Sequence, residues 1–434
     1  MSGWPEHAIW WQLHPLSFTA DAPAPRLARI EAWLDYLVDL GGNGLLLGPI
    51  FASQTHGYDT VDHLRIDPRL GTDEDFDHLV GQCQARGIRL LLDGVFNHVG
   101  RGFAPFQDVL AHGPASEYAP WFRLDFKGDG PDGFSYADFE GHQELVALNH
   151  TEPAVQDYVT RVMTHWLDRG ASGWRLDAAY AVALPFWHAV TGRVRATHPD
   201  VWLLGEVIHG DYIADVRDGG LDSVTQYELW KAIWSSLNDQ NFFELAHALT
   251  RHNEFAAAFL PQTFVGNHDV TRLATQLTDA RHLPHALAVL FTVAGAPSVY
   301  AGDEQAFQGT KYDRPGGDDE IRPAFPAGPQ DLAPGGWPTY RLHQDLIGLR
   351  RRHPWLARAA GEVLTVRNES LAYRAIHPTD GPDLAVLLNV GEEPASFDFH
   401  GRDARYLLGS DNKEASTAEV APHGWAILEL PRHP

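Results

Sequence analysis

Short apolar runs bounded by glycine or proline alternate with amphipathic helical stretches along most of this chain, and acids sit where several of the runs stop. A run that is apolar on every residue reads as a strand buried on both faces, the situation in a parallel sheet covered by helices. Asn43 to Pro49, with Leu45-Leu46-Leu47, is one such run. Ile88 to Asp93, Gly173 to Asp177, Trp202 to Glu206, Thr263 to Gly266 and Ser298 to Tyr300 are others, and a first strand begins near Ala8. Helices fit between them. Ile30, Trp33, Leu34, Leu37 and Val38 share a helical face that Gly41 ends. Thr72 supplies an N-cap for a helix carrying Phe76, Leu79, Val80 and Cys83, and Pro153 opens another that carries Val155, Tyr158, Val159, Val162 and Trp166. Ala286 to Ala296 is the best candidate for a membrane span; it is too short for one and reads as a buried helix.

Strands and helices in this order predict an α/β fold, and the strand count suits a closed (β/α)8 TIM barrel better than an open sheet. No GxGxxG fingerprint follows any strand. The barrel is expected over residues 1–98 and 150–358. The stretch 99–149, rich in Gly, Pro, Asp and aromatics and including the tract Lys127 to Gly133, reads as a small subdomain inserted after the third strand. From about Gly361 the helical period gives way to short alternating strands, as in Leu371-Ala372-Tyr373-Arg374-Ala375, so 359–434 is expected to be a C-terminal antiparallel β-sandwich domain.

Charge and cysteine content narrow the function. The 434 residues carry 33 Lys and Arg against 57 Asp and Glu, a formal charge of −24. Such a balance repels a phosphate backbone or an anionic bilayer, so neither nucleic acid nor membrane is expected as a partner. Cys83 is the one cysteine, and the first twenty residues lack the basic start and apolar core of a secretory signal, which together predict a cytoplasmic protein. Nothing in the sequence sets an oligomeric state.

In a closed parallel barrel the carboxyl ends of the strands converge on one pocket. Asp93, Asp177 and Glu206 each end an apolar run, and Asn267-His268-Asp269 follows another. Breaking a glycosidic bond with retention needs two carboxyl groups about 5 Å apart, one to attack the anomeric carbon and one to protonate the leaving oxygen. Arg175, two residues before Asp177, points to the same face of its strand and is expected to keep Asp177 ionised. Trp202-Leu203-Leu204-Gly205 gives Glu206 an apolar surrounding that raises its pKa towards that of a general acid. Any one of these acids could be a strand-end residue tied to a loop; the whole set is poorly explained that way.

Taken together, four segments resemble the α-amylase family of glycoside hydrolases: Asp93-Gly94-Val95-Phe96-Asn97-His98, Gly173-Trp174-Arg175-Leu176-Asp177, Gly205-Glu206-Val207, and Phe264-Val265-Gly266-Asn267-His268-Asp269. Trp11-Gln12-Leu13-His14-Pro15, His56-Gly57-Tyr58-Asp59 and Gly295 to Glu304 extend the match in the family's order. The resemblance implies Asp177 as nucleophile, Glu206 as acid/base and Asp269 as the third carboxylate, which holds sugar hydroxyls. It also implies that His98 and His268 bond those hydroxyls, that Arg175 fixes the nucleophile, that Tyr58 is a stacking platform, and that Asp93 is a structural acid. In exo-acting relatives an acid at the position of Asp59 pairs with an arginine and blocks the pocket; Arg314 and Arg322 are the candidate partners here, set against the plainer alternative of a solvated loop arginine.

Two departures stand out. Many members share a calcium ion between the asparagine of the first segment, here Asn97, and a histidine past the nucleophile, where this chain has Tyr180 and Ala181. A structural calcium is therefore doubtful and no cofactor is expected to be required. The segment Leu145 to Asn149 matches its family counterpart only loosely. With the first strand near Ala8, no N-terminal module is expected, and the chain looks most like cyclomaltodextrinase or neopullulanase relatives. The expected activity is hydrolysis of α-1,4-linked glucans or maltooligosaccharides, with an oligosaccharide as the partner molecule. A transglycosylase or a sucrose- or trehalose-converting enzyme would use the same residues, and a non-catalytic sugar-binding barrel would be expected to lose one of the acids. The arginine beside Asp177 argues against a metal-dependent barrel enzyme.

Overall fold

The computed structural model describes residues 3–128, 130, 132–314, 316–399, 404–410 and 419–431. Eight strands form one parallel sheet: β1 Trp10–Leu13, β2 Gly44–Leu47, β3 Arg89–Gly94, β4 Gly173–Leu176, β5 Trp202–Gly205, β6 Ser223–Val224, β7 Gln262–Phe264 and β8 Ala296–Tyr300. Each pairs with its neighbour in chain order, β1 also pairs with β8, and a bridge between Thr225 and Gln262 joins the two remaining edges. The sheet is thus a nearly closed barrel, as the alternation predicts. Strand β6 has no counterpart in the sequence reading; with two residues it is too short to show a pattern.

Side chains alternate across the barrel wall. Trp11, Leu13, Leu45, Leu47, Leu90, Leu92, Trp174, Leu176 and Leu203 belong to the large core that also takes in the helices. On the inner side Trp10, Leu46, Leu91, Trp202 and Leu204 form a separate apolar plug, with Trp4 packed against it. Two residues further along β3, β4 and β5 the same inner row continues with Asp93, Arg175 and Glu206, so the barrel is apolar at its base and ionic at its top. The inner wall also needs small residues. A Cβ at Gly44 would run into the Trp10 ring, and one at Gly173 into the Trp202 carbonyl and the Leu91 side chain.

The helix Asp73–Ala85 begins with a capping box between Thr72 and Asp75, and Pro153–Asp168 buries the five apolar residues named for it. Gly41 ends Leu34–Leu40 in the left-handed region at φ 96°, where glycine carries no Cβ penalty. That helix is separate from Leu27–Glu31; its buried side chains are Leu34, Tyr36, Leu37 and Leu40, and Val38 is left 41 % exposed. The buried run from Ala286 is the helix Leu283–Thr292 followed directly by β8. Among the described residues no helix is long and apolar enough to cross a membrane.

Two excursions flank the barrel mouth. After β2 the hairpin Phe51–Ser53 and Thr60–Ile66 carries Tyr58 and Asp59 at its turn. After β3 a three-stranded sheet joins His98–Gly100, His142–Ala147 and Asp138–Phe139. Residues 129 and 131 of the Lys127 to Gly133 tract lie outside the described residues. Beyond the barrel, β9 Ala360–Val366, β10 Ser370–Ile376, β11 Asp383–Asn389, β12 Arg405–Gly409 and β13 Trp425–Leu430 form an antiparallel sheet in the order β9-β10-β11-β13-β12. Parts of the predicted C-terminal domain, 400–403, 411–418 and 432–434, are outside the described residues.

The packing at Gly173 gives a direct test. Gly173→Ala should destabilise the protein by about 1–3 kcal/mol through overpacking between β3 and β5. A thermal melt reads this as a lowered Tm, and an unchanged Tm would show that the inner wall has room for a methyl group.

Candidate active site

Register brings the acids together. Along β4 and β5, Leu176 pairs with Gly205, so Asp177 and Glu206, one residue further on, leave the sheet at the same level on neighbouring strands. Along β3 and β4, Arg175 lies beside Asp93. Neighbouring strands are about 4.8 Å apart, so a level pair of carboxyl-bearing residues starts at the spacing that retaining chemistry uses.

One guanidinium then gathers the group. Arg175 Nη1 donates to Asp93 Oδ2 at 2.7 Å and to Asp177 Oδ1 at 3.0 Å. Its Nη2 lies 2.6 Å from Glu206 Oε1 and 4.0 Å from Asp269 Oδ2. Asp177 and Glu206 are therefore separated by no more than the width of one guanidinium and two hydrogen bonds. The backbone N–H of Ala178 also donates to Glu206 Oε2 at 2.9 Å. Ala178 sits at φ 44°, a left-handed conformation uncommon for a residue with a side chain.

The pKa shifts depart from the expected division between the two acids. Burial pushes Asp177 up to about 7 against the pull of Arg175, with Asp93 and Asp269 adding to the rise. Burial likewise takes Glu206 up to about 7, again against Arg175. The guanidinium expected to hold Asp177 ionised is shared with Asp93 and Glu206. Asp269 moves the other way. Burial opposes its charge, yet His268, Arg322 and Arg175 together hold it well below the usual carboxylate range. Arg322 Nη2 donates to Asp269 Oδ1 at 2.6 Å, and His268 Nε2 lies 3.0 Å from Asp269 Oδ2.

Around these acids the other expected residues assemble. Tyr58 hydrogen-bonds through its hydroxyl to Asp93 Oδ2, at 3.1 Å, and to His268 Nε2. Its ring lies parallel to that of His268, 5.7 Å centre to centre. Burial pushes His98 down to about 3, a neutral imidazole, and lowers His268 as well, against the pull of Asp269. His98 Nε2 meets the Tyr58 carbonyl at 3.1 Å, and Phe139 of the inserted sheet stacks on its ring at 4.6 Å. A cavity of about 1080 Å³, large enough for an oligosaccharide, opens beside this group and is lined in part by His14, His56, Tyr58, Tyr312, Arg314 and Arg322. Tyr58 and Arg322 are the residues it shares with the carboxyl cluster. Asp269 is the most open of the three acids, with its side chain 33 % exposed against 10 % for Asp177 and 8 % for Glu206.

Asp59 differs from expectation. It is buried and accepts from Thr55 Oγ1 at 2.6 Å; no ion pair joins it to Arg314 or Arg322. Arg322 reaches past it because its own loop carries it over Asp269 and Asp318, the latter at 3.0 Å. The sequence reading therefore missed Arg322 as the partner of Asp269, which is 53 residues away and in no shared motif. It also gave no role to Gln12, whose amide lies 3.0 Å from His268 Nδ1 and orients that ring. The segment Trp11 to Pro15 held that signal.

At Asn97, the candidate calcium ligand, the side-chain amide is engaged by the next residue. The Asn97 amide nitrogen is 3.1 Å from His98 Nδ1, and Tyr180 directs its hydroxyl to Glu140 Oε1 at 2.9 Å.

Comparison with known proteins agrees with this arrangement. Residues 12–357 match the family described as Alpha amylase, catalytic domain. A cyclomaltodextrinase from Geobacillus thermopakistaniensis is 32 % identical over 98 % of this chain and 77 % of its own length. A maltogenic alpha-amylase from Bacillus acidopullulyticus is 30 % identical over 98 % of this chain and 78 % of its own. The structure of cyclic alpha-maltosyl-(1→6)-maltose hydrolase from Arthrobacter globiformis, in complex with cyclic alpha-maltosyl-(1→6)-maltose, superposes with a TM-score of 0.84 at 26 % identity, covering 98 % of this chain and 99 % of that one. With most of its length matched and the acids of its strand ends gathered at one mouth, this chain belongs to the α-amylase family of glycoside hydrolases.

Proposed function

We propose that this protein hydrolyses α-1,4-linked glucans or short maltooligosaccharides with retention of configuration, through a covalent glycosyl-enzyme on Asp177. The observation that carries the reading is the grip of one Arg175 guanidinium on both Asp177 and Glu206. The Asp177 carboxylate attacks the anomeric carbon while protonated Glu206 gives its proton to the leaving oxygen. Water then enters, Glu206 takes a proton from it, and the hydroxide oxygen displaces Asp177 with a second inversion. Asp269, kept ionised by His268 and Arg322, accepts hydrogen bonds from sugar hydroxyls. His98 and His268 bond further hydroxyls, and the Tyr58 ring faces the apolar side of the sugar.

The shared rise of the Asp177 and Glu206 pKa values supports these roles. A pair that exchanges one proton near neutrality offers a carboxylate and a carboxylic acid at the same time, with pKa values that belong to the pair. No metal or cofactor enters any step. The names of the relatives favour short or cyclic maltooligosaccharides as substrates, and the single free, buried Cys83 suits a reducing cytoplasm.

Asp177→Asn should reduce kcat on maltotriose about 10⁴-fold with the fold intact. NMR of the first-formed product should find the α anomer, and a β anomer would overturn the double displacement. Release of free sugar from cyclodextrin or maltotriose, against transfer to a second sugar, separates hydrolysis from transglycosylation. The kcat/KM profile should be bell-shaped: activity falls at low pH as Asp177 takes a proton and at high pH as Glu206 loses one. Glu206→Gln should cost about 10²–10⁴-fold and abolish the alkaline limb. Arg322→Ala, which leaves Asp269 with His268 and the distant Arg175, should lower kcat/KM about 10-fold or more, the worth of one charge-assisted hydrogen bond. A wild-type value there would show that Asp269 works without it.

A further inference from the structure

Where the helix Leu283–Thr292 meets the C-terminal sheet, a second group of titratable side chains takes no part in the carboxyl cluster. His282 closes a short 3-10 turn, Ala280–His282, whose cap is Asp279. His423 lies in the turn just before β13, and Glu392 in the turn after β11. His282 Nε2 and His423 Nδ1 face each other at 3.0 Å. One ligand atom from each of Asp279, His282 and His423 falls within 4.8 Å of the others, the one such group of three among the described residues.

We propose that Asp279, His282 and His423 bind a first-row transition-metal ion of the zinc type, which ties the C-terminal sheet to the barrel. Two neutral imidazoles and one carboxylate are the donors such an ion prefers, and three protein ligands leave the fourth position to water. Magnesium and calcium, which take oxygen donors, are poorly served by this set. Glu392 Oε1 stands 3.0 Å from His423 Nε2, outside hydrogen-bonding geometry, beside the ring nitrogen that a metal on Nδ1 leaves free. His423 also holds φ at 53°, strained for a residue with a side chain, in a turn that points its ring across the junction. His282 is buried, with no hydrogen-bond partner for Nδ1, so that its binding nitrogen is Nε2 or Nδ1 without loss of an existing bond beyond the one to His423. Asp279 now bonds Arg281, whose Nη2 lies 2.7 Å from Oδ2; the Arg281 side chain is 57 % exposed and can leave for solvent when a cation arrives. Binding involves no redox step. Only one of the two rings holds its proton in the contact; that ring carries it on its other nitrogen when the ion binds, so each facing nitrogen offers a lone pair and no proton is gained or lost.

The test uses the full-length protein stripped with EDTA and titrated with Co²⁺ or Zn²⁺. One equivalent of Co²⁺ should produce the visible absorption of a low-symmetry site, and Zn²⁺ at about 100 times its Kd should raise Tm by roughly 3 °C. Mg²⁺ should do neither. Asp279→Asn and His423→Gln should lose both responses while keeping the wild-type far-UV circular dichroism spectrum. If His423→Gln fails to fold, Asp279→Asn, a substitution on a partly exposed turn, decides alone. Absence of the Co²⁺ absorption, or responses of wild-type size in Asp279→Asn, would overturn the site and leave the two histidines as a hydrogen-bonded pair only.

Discussion

The guanidinium of Arg175 lies within 3.0 Å of Asp93, Asp177 and Glu206, and all four side chains are withdrawn from water. Carboxylates this close and this dry cannot all be ionised unless a cation lies among them. Breaking a buried ion pair is costly, whereas well-packed apolar residues in its place are often neutral or better for stability. The barrel therefore keeps an assembly that stability alone would not select. Arg175 meets Asp177 with one nitrogen and Glu206 with the other, so the two acids share one cation. What distinguishes them is position. Asp177 ends β4, while Glu206 ends β5 and also receives the Ala178 N–H.

Around this centre a second arrangement holds Asp269 as a permanent anion. Arg322 and His268 both reach it, and His268 is itself fixed by Gln12 at one nitrogen and Tyr58 at the other. Tyr58 ties this arrangement back to the first through Asp93. The two networks meet at one tyrosine hydroxyl, beside a cavity that opens outward between the hairpin after β2 and the loop that carries Arg322. Below them the apolar plug of Trp10, Leu46, Leu91, Trp202 and Leu204 closes the barrel. Polar chemistry is thereby confined to one mouth.

Much of this could be read from the chain. Strands buried on both faces cannot hide their composition, so β2, β3, β4 and β5 stood out, and the acids at their tips followed. Helix boundaries were legible where a side chain or a glycine determines them, as at Thr72, Pro153 and Gly41. Reading failed where local pattern carries little weight. Strand β6 is two residues long and borrows its place from its neighbours, and the helix of Val38 buries Tyr36 and Leu40 beside Leu34 and Leu37, leaving Val38 outside. Arg322 belongs to a loop without periodicity, so nothing local said whether it would meet Asp59 or Asp269.

The sequence by itself determined the barrel, the identity of the acids and the face of the strand that Arg175 shares with Asp177, because side-chain alternation and apolar content are properties of neighbours in the chain. Only the tertiary structure decided how the charges are divided. Whether one guanidinium serves one carboxyl or three depends on distances and desolvation among groups tens of residues apart. Those quantities exist only once the strands have closed.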